Sequence, residues 1–362
     1  MRSSKGRRAG PGAPFAVRLS TAWIVGLCLL APAISVWRAV SDTGRPDTLQ
    51  SATNVHSAKP GDHNFTIKTG GLDRHYTVHV PRGYNGRTPV PVVVMLHGGG
   101  GSGRAAAVET GWDVKADDIG FIAVFPEALP PDPARSNSFA RNPQLWNDGS
   151  ERFYRGQKKV DDVGFLNAML DEISARFAVD ARRVFFTGFS NGASMVFRFA
   201  AEAPRRVTAI APVAGACWIA PGNMERPVSM CYITGLADPL NLIEGGVPRL
   251  LNGASDPIRA KPKPPVRESI LKWATALGCP SAAASVTGTE GVRTEILGPG
   301  RGGAEVIFIT VEDLGHTWPG GSSLLPESMV GKRTARIRAT DVIWAFFQKH
   351  SGSKAGGQGE RT

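Results

Sequence analysis

The chain has 362 residues, of which 42% are hydrophobic and 20% are charged, and this composition is ordinary for a globular enzyme. Its formal net charge of +11 suggests a nucleic-acid binder at first, but six of the basic residues lie within residues 1–40, where there is no acidic residue. Because no basic stripe or nucleic-acid-binding motif is found elsewhere, we expect no nucleic-acid partner.

The amino terminus has the pattern of an export signal. A basic stretch at 2–18 precedes an apolar run at 21–30, and Ala31-Pro32-Ala33 offers a cleavage site. An uncleaved anchor is the alternative, because apolar residues continue to Trp37. The resulting run of about 17 residues is at the short limit for crossing a bilayer. We predict that residues 1–40 are a signal peptide or signal anchor. The product is then extracellular or periplasmic, with no stable membrane partner unless the leader is retained.

Strand and helix patterns alternate along the rest of the chain. Residues 41–62 are polar and predict a linker, and residues 351–362 predict a disordered tail. Strand-like runs lie at 65–68, 75–80, 91–96, 121–125, 184–187, 207–213, 230–234 and 306–311. Helical patterns lie at 162–177, 191–203, 266–277 and 338–349. The alternation predicts one α/β domain at 63–350, with a mostly parallel sheet and helices on both faces.

One of these strand-to-helix junctions contains the motif G-x-S-x-G, from Gly188 through Ser190 to Gly192. A nucleophilic serine must stand out from the sheet on a sharp turn, and glycines on both sides leave room for the neighbouring backbone. The alternative is a surface serine in an ordinary turn. The strand–turn–helix context favours the prediction that Ser190 is a nucleophile.

A glycine run, Gly98 to Gly101, follows the predicted strand 91–96. Attack on an ester carbonyl creates an oxyanion, which backbone amides can stabilise if they approach closely. We predict that the amides of Gly98 or Gly99, together with that of Asn191, supply this oxyanion hole. A phosphate-binding loop is the alternative, but the run lacks the lysine and the hydroxyl residue of that motif.

The base and the acid are expected in loops that follow later strands. His316 lies in a loop after the run 306–311, and Asp238 lies in a turn after the run 230–234. The resulting chain order of serine, acid and histidine is that of α/β-hydrolases. A structural loop histidine and a turn-capping aspartate are the alternatives. We predict a catalytic triad of Ser190, Asp238 and His316, which needs no cofactor, and no metal-ligand spacing is visible.

Taken together, these motifs resemble a known family. The matching segments are Val93–Gly100, Trp146-Asn147, Asp161–Leu166, Gly188–Gly192, Gly235–Pro239 and Gly315–Gly320. Over about residues 65–350 the chain resembles the secreted esterases that include polyhydroxybutyrate depolymerases, feruloyl esterases and acetylxylan esterases. The resemblance implies an α/β-hydrolase fold, the same triad and secretion, but it does not select the ester.

Three cysteines follow the predicted leader, namely Cys217, Cys231 and Cys279. An oxidising compartment would favour one disulfide and one free thiol, whereas buried reduced thiols are the alternative. The esterase family often has a cysteine that could pair with one placed like Cys279, but the segment 298–304 contains none. This departure puts a disulfide at Cys279 in doubt.

The sequence therefore predicts a secreted serine esterase resembling a polyhydroxybutyrate depolymerase. The partner is an ester substrate: a small ester, a polyester oligomer or a plant cell-wall ester. Alternatives are a feruloyl or acetylxylan esterase, a serine peptidase or lactone hydrolase, and a non-catalytic binding protein on a hydrolase fold. Trp146 and Trp318 are predicted to line a substrate groove, with core packing as the alternative.

Overall fold

The computed structural model describes residues 58–139, 141–152, 159–222, 224–248 and 261–351. The predicted leader, most of the predicted linker and all of the predicted tail except Ser351 lie outside the described residues. The linker prediction extends too far, because the first strand begins at Gly61, and its residues pair with the next strand from that point on.

Ten strands of the described chain form one sheet with the order β1-β2-β4-β3-β5-β6-β7-β10-β9-β8. The strands are β1 (Gly61–Thr69), β2 (Leu72–Val80), β3 (Val90–Leu96), β4 (Ile122–Pro126), β5 (Val179–Phe189), β6 (Ala209–Val213), β7 (Ser229–Gly235), β8 (Ser285–Thr289), β9 (Val292–Leu297) and β10 (Val306–Val311). The six strands β4, β3, β5, β6, β7 and β10 are parallel, and antiparallel strands flank them at both edges. The predicted mostly parallel sheet is confirmed.

Both faces of the sheet are covered. The helices are α1 (Gly103–Thr110), α2 (Trp112–Ile119), α3 (Asp162–Arg176), α4 (Asn191–Glu202), α5 (Val266–Leu277), α6 (Glu327–Val330) and α7 (Ala339–Lys349). In β3, Val92 and Val94 join the hydrophobic cluster under α3, α4 and α5, whereas Val93 and Met95 join the cluster under α1, α2 and α7. A strand buried on both faces needs a continuous apolar run, which explains the pattern at 91–96.

Five elements were missed by the sequence patterns, among them α6, which has only four residues. Helices α1 and α2 are short, and Gly111, with a φ of 65°, ends one and begins the other. Strand β8 is exposed along its whole length, so it lacks the alternation that marks a half-buried strand, and β9 was missed with it. These elements lie beside or at the edge of the parallel sheet that carries the predicted site.

The parallel strands place their carboxyl ends along one edge, as a sheet with crossover helices requires. The loops after β3, β5, β7 and β10 therefore meet at that edge, and they contain the glycine run and the three residues of the predicted triad. Of the other residues predicted to be functional, Asn191 begins α4, Trp146 lies between β4 and α3, and Trp318 lies after β10. Within the described ranges, no helix has the length and apolar character needed to cross a bilayer.

Candidate active site

Ser190 stands between β5 and α4 in a strained backbone conformation, with a φ of 56° and a ψ of −117°. Such a conformation costs on the order of 1–3 kcal/mol in a non-glycine residue, so the surrounding structure must hold it. The Ser190 amide donates to the carbonyl of Val213 at 2.9 Å. A Cβ at Gly192 would lie 2.2 Å from the Leu96 carbonyl oxygen, and a Cβ at Gly188 would lie 2.7 Å from the Gly192 backbone. Glycine is therefore required at both motif positions by close backbone approach.

The structure brings together the three side chains of the predicted triad. Nε2 of His316 lies 2.8 Å from Oγ of Ser190, and Nδ1 of His316 lies 2.7 Å from Oδ2 of Asp238. With the proton on Nδ1, the imidazole donates to the carboxylate, and Nε2 can accept the hydroxyl proton of Ser190. His316 and Asp238 are buried, while Ser190 is only partly buried. The arrangement can therefore activate a hydroxyl that substrate can reach.

Backbone amides also hold Asp238. Its Oδ1 accepts hydrogen bonds from the amides of Leu240 and Asn241, both at 2.7 Å. Burial by itself would raise the pKa of Asp238, but the charge and hydrogen bond of His316, with these two amides, lower the pKa below its usual value. The carboxylate is therefore ionised at neutral pH, as the stabilisation of an imidazolium requires.

The glycine run after β3 lies against the serine turn. A Cβ on Gly98 would lie 3.5 Å from Cβ of Ser190, and one on Gly99 would lie 3.6 Å from Cβ of Asn191. The amides of Gly98 and Gly99 donate to no group within the part of the chain that the structure describes. The amide of Asn191 begins α4, where amides lack an acceptor inside the helix. The three predicted oxyanion donors thus lie close to Ser190 and have no competing acceptor among the described residues.

His97 fixes the orientation of this run. Its Nδ1 donates to the Gly98 carbonyl at 2.8 Å, and its Nε2 accepts from the Ala128 amide at 3.1 Å. Burial lowers the pKa of His97, so the ring stays neutral at physiological pH. Gly101 donates to the same carbonyl at 2.9 Å. Because the C=O and N–H of a trans peptide point in opposite directions, these two bonds turn the Gly99 amide away from both donors.

The side chain of Asn191 has a role that the sequence patterns did not reveal. Its Oδ1 accepts from the Trp146 amide at 2.7 Å, and its Nδ2 donates to the Trp146 carbonyl at 3.1 Å and to Oδ2 of Asp148 at 2.8 Å. The Trp146 indole donates to the His97 carbonyl at 3.0 Å. The start of α4 and the end of β3 are thus joined through Trp146, although the chain segments are far apart.

A buried ion pair supports the same region. Nη2 of Arg74 lies 2.6 Å from Oδ1 of Asp162, and Oδ2 of Asp162 accepts from the Asn147 amide at 2.6 Å. Burial raises the pKa of Asp162, and the Arg74 guanidinium opposes that rise. The motif residues Asn147 and Asp162 were visible in the sequence, but the ion-pair partner of Asp162 was not, because Arg74 is 88 positions away.

The tryptophan prediction needs correction. The structure buries Trp146 completely, and its ring packs near His97. Trp318 is also buried, and its indole donates to Oγ1 of Thr340 at 3.0 Å. Both indole N–H groups are already occupied, and Trp318 borders a space of only about 30 Å³ beside His316. The packing alternative therefore fits both residues better than a role as an open substrate surface.

The three described cysteines are free thiols. Cys217 and Cys231 are buried, and burial raises the pKa of each thiol to about 12. The structure therefore follows the reduced alternative for these cysteines. Among the residues that the structure describes, no group of three or more histidine, cysteine, aspartate or glutamate side chains is arranged to hold a metal ion.

Comparisons with known proteins agree with this fold. The sequence model of the phospholipase/carboxylesterase family matches residues 84–239, which include the glycine run, the serine turn and Asp238. A protein of Nocardia uniformis subsp. tsuyamanensis that is named as an esterase is 29% identical over 299 residues, covering 78% of this chain and 81% of that protein. The chain has the α/β-hydrolase fold.

Named relatives include enzymes for several esters. Feruloyl esterase D of Neurospora crassa is 28% identical over 222 residues, covering 61% of this chain and 69% of the relative. Poly(3-hydroxyalkanoate) depolymerase C of Paucimonas lemoignei is 31% identical over 153 residues, covering 42% of this chain and 33% of that enzyme. The solved structure of an acetyl xylan esterase from Aspergillus awamori aligns with a TM-score of 0.49 and 16% identity, covering 70% of this chain and 94% of that one. The resemblance found in the motifs is confirmed, and the relatives support a carboxylic ester hydrolase.

Proposed function

We propose that this chain hydrolyses carboxylic esters through an acyl-enzyme on Ser190. The observation that carries the proposal is the continuous hydrogen-bonded path from Ser190 Oγ through His316 to Asp238, with separations of 2.8 and 2.7 Å. Such a path can move the hydroxyl proton to the imidazole as the oxygen attacks a carbonyl carbon. The names of the relatives support an ester rather than an amide as the substrate.

In the proposed reaction, His316 takes the Ser190 proton while the serine oxygen forms a bond to the carbonyl carbon. The carbonyl oxygen becomes an oxyanion, and the amides of Asn191 and of Gly99 or Gly98 stabilise it. His316 then gives its proton to the departing alcohol. Water, activated by the same imidazole, hydrolyses the acyl-enzyme and restores the serine. Ionised Asp238 stabilises the imidazolium in both steps.

The test measures hydrolysis of nitrophenyl butyrate and of a matched peptide anilide. Ser190→Ala is the test variant, and Ser174→Ala is the control, since Ser174 lies on α3 and donates to the Leu170 carbonyl. We expect ester turnover to fall by about 10⁴-fold or more in Ser190→Ala and to stay unchanged in Ser174→Ala. The unaltered protein should hydrolyse the anilide far more slowly than the ester. A fluorophosphonate probe should phosphonylate Ser190 with loss of fluoride, so the peptide that contains Ser190 should gain the mass of the phosphonyl group. Ester turnover that persists in Ser190→Ala, or turnover of the anilide alone, overturns the proposal.

We further propose an acyl group of the kinds named in the relatives: 3-hydroxyalkanoyl, feruloyl or acetyl. The first hypothesis is a 3-hydroxyalkanoate ester, as in a polyhydroxybutyrate depolymerase, and the match to the depolymerase supports it. The longer match to feruloyl esterase D supports the feruloyl alternative. The ratio of kcat/KM values for 3-hydroxybutyryl, feruloyl and acetyl esters of one alcohol decides between them. A preference for feruloyl over 3-hydroxybutyryl ester contradicts the first hypothesis.

Export is part of the proposal. The basic and then apolar order of residues 1–30, with the site Ala31-Pro32-Ala33, supports a cleaved leader. Expression of the full chain in a bacterial host, followed by amino-terminal sequencing of the exported protein, tests it. Recovery of an intact amino terminus in the membrane fraction overturns cleavage.

A further inference from the structure

A partly open cavity of about 350 Å³ adjoins the glycine run. Gly98 to Gly101 form one side of it, and Phe189, which directly precedes Ser190, forms another. An apolar cavity of roughly 150 Å³ already holds a benzene ring, so this volume can accept an aromatic ring with several additional carbons. Ser190 is not among the lining residues, but the cavity adjoins it through Phe189 and through Gly98, on which a Cβ would lie 3.5 Å from Cβ of Ser190.

Two exposed apolar side chains stand at this cavity. Phe139 is 49% exposed and Leu324 is 60% exposed, and both line the same cavity. A Cβ on Gly100 would lie 2.6 Å from the Phe139 ring, so the ring rests directly on the glycine run. Exposed apolar side chains grouped at one concave site are typical of a ligand groove.

Local hydrogen bonds hold both walls. Next to Phe139, Ser138 and Asn142 exchange two backbone hydrogen bonds of 2.9 and 3.0 Å. On the opposite wall, the Leu324 amide donates to Oε1 of Glu109 at 3.0 Å, and the Ser322 amide donates to the Glu109 carbonyl at 3.1 Å. The two walls therefore belong to separate anchored loops and do not depend on each other.

The position of His316 indicates which part of an ester fits here. His316 must give its proton to the departing alcohol, so the alcohol lies on the His316 side of the serine. His316 lines a smaller space of about 30 Å³, which shares Gly98, Glu109 and other lining residues with the large cavity, and His316 does not line the large cavity itself. The acyl group, which points away from the departing oxygen, is the part that fits the large cavity.

The charged residues of the cavity limit the acyl groups that it can accept. Of the described residues that line it, Glu109 is the only acidic one, and there is no lysine or arginine among them. Glu109 also lines the smaller space beside His316. Burial raises the pKa of Glu109, while the Leu324 amide and the charge of His316 oppose that rise. Where Glu109 is ionised, a carboxylate on the acyl group would meet a like charge and no cationic partner among the described lining residues, which is unfavourable in a partly desolvated site.

We propose that this cavity is the acyl-binding pocket, that Phe139 and Leu324 determine its preference for uncharged apolar acyl groups, and that Glu109 excludes anionic ones. The proposal rests on the proposed function, because it assumes acyl transfer to Ser190. It assigns the substrate class as esters of neutral acids that are larger than acetate, including those with an aromatic ring. Acyl groups that end in a carboxylate are poor substrates.

The first experiment compares nitrophenyl acetate, butyrate and cinnamate. For Phe139→Ala and Leu324→Ala, the ratio of kcat/KM for cinnamate to kcat/KM for acetate should fall by about tenfold, chiefly through KM, since each variant removes apolar contact with the larger group. Val286→Ala is the control, because Val286 is an exposed apolar residue on β8. Acetates of short and long alcohols should keep their ratio in all three variants. An unchanged cinnamate ratio, or a change confined to the alcohol series, overturns the pocket assignment.

The second experiment compares nitrophenyl hemisuccinate with nitrophenyl butyrate. Glu109→Gln removes the charge and keeps an oxygen that can accept the Leu324 amide. The ratio of kcat/KM for hemisuccinate to kcat/KM for butyrate should rise by about tenfold, and Glu109→Asp, which keeps the charge, should leave the ratio low. A ratio that does not rise in Glu109→Gln contradicts the role of Glu109.

The proposed function and the acyl pocket are distinguished by different variants. If Ser190→Ala retains ester turnover, the proposed function fails and the pocket loses its basis. If Ser190→Ala is inactive but the Phe139, Leu324 and Glu109 variants change all esters by equal factors, the function stands and the acyl pocket is wrong.

Discussion

Two loops at the same edge of the sheet each contain a buried histidine, yet the two rings have different surroundings. His97 follows β3, and both of its ring nitrogens are hydrogen-bonded to backbone groups, the Gly98 carbonyl and the Ala128 amide. His316 follows β10, and its nitrogens face a carboxylate and a hydroxyl, those of Asp238 and Ser190. Burial and position along the strand are shared, so the hydrogen-bond partners distinguish a positioning group from a proton carrier.

The two histidine loops also differ in what they do: one holds backbone amides in place, and the other presents a ring to a hydroxyl that substrate can reach. The His97 loop is tied to the start of α4 through Trp146 and Asn191, so it holds amides in place. The His316 loop presents its ring to a partly exposed hydroxyl, where substrate can enter. Removing each histidine should therefore affect different properties: catalysis in one case and stability in the other.

The largest effect is expected for His316→Ala. Loss of the imidazole removes the proton acceptor, and kcat for nitrophenyl butyrate should fall by about 10⁴-fold or more, while the melting temperature changes little. Steady-state kinetics and thermal unfolding of the same preparation measure both. Activity within tenfold of the unaltered protein would contradict the role of His316.

The next largest effect is expected for Asp238→Asn, with a loss of about 10³- to 10⁴-fold in kcat. The amide cannot hold the productive tautomer of His316 or stabilise its imidazolium. Asp313→Asn is the matched control. Asp313 is near His316 along the chain but pairs with Arg336 at the surface, at 3.0 Å. Equal losses in the two variants would show that proximity along the chain, rather than the hydrogen bond, matters.

Gly192→Ala tests the junction between the two regions. The added Cβ would meet the Leu96 and His97 carbonyl oxygens at 2.2 and 2.4 Å, so the free energy of unfolding should fall by about 3 kcal/mol. Gly83→Ala is the control, since a Cβ there meets nothing within 4 Å. Urea denaturation measures both, and a variant as stable as the control would disprove the close packing.

The smallest effect is expected for His97→Gln and depends on pH. Burial lowers the pKa of His97, so below a pH of about 6.5 the unfolded chain binds a proton that the folded chain resists. The stability that the neutral, buried His97 contributes is present in full above that pH and is lost as the pH falls below it. Between pH 7.5 and 5.5, the unaltered protein should therefore lose about 1 kcal/mol more stability than the variant.

Urea denaturation at the two pH values checks this difference, with His75→Gln as the exposed control. Parallel loss of stability in the His97→Gln variant and the unaltered protein would count against a neutral, buried His97.

Much of the fold could be predicted, because the parallel strands are buried on both faces. Such strands must be continuously apolar, and the runs at 91–96, 184–187 and 306–311 have that property. Strand β8 could not be recognised, since an exposed edge strand has no burial to impose a pattern. Helices α1 and α2 escaped because each has only eight residues, too few for a clear period.

The candidate site divides in the same way. Ser190 and its flanking glycines are marked in the sequence, because local backbone geometry dictates glycine on both sides of the serine. The partners of Asn191, Asp162 and Trp146 were invisible, because they depend on how distant segments pack. Trp146 and Trp318 show the converse, since residue type alone suggested a groove and packing placed both in the core.

The sequence by itself determined the sheet type, the serine turn and the order of serine, acid and histidine, because each depends on short-range backbone sterics or on burial along a single strand. Only the tertiary structure decided that His316 and Ser190, 126 positions apart, lie 2.8 Å from each other. It also decided that Phe139 and Leu324 face one cavity. Contacts of this kind arise where loops from separate strands converge, and no local pattern records that convergence.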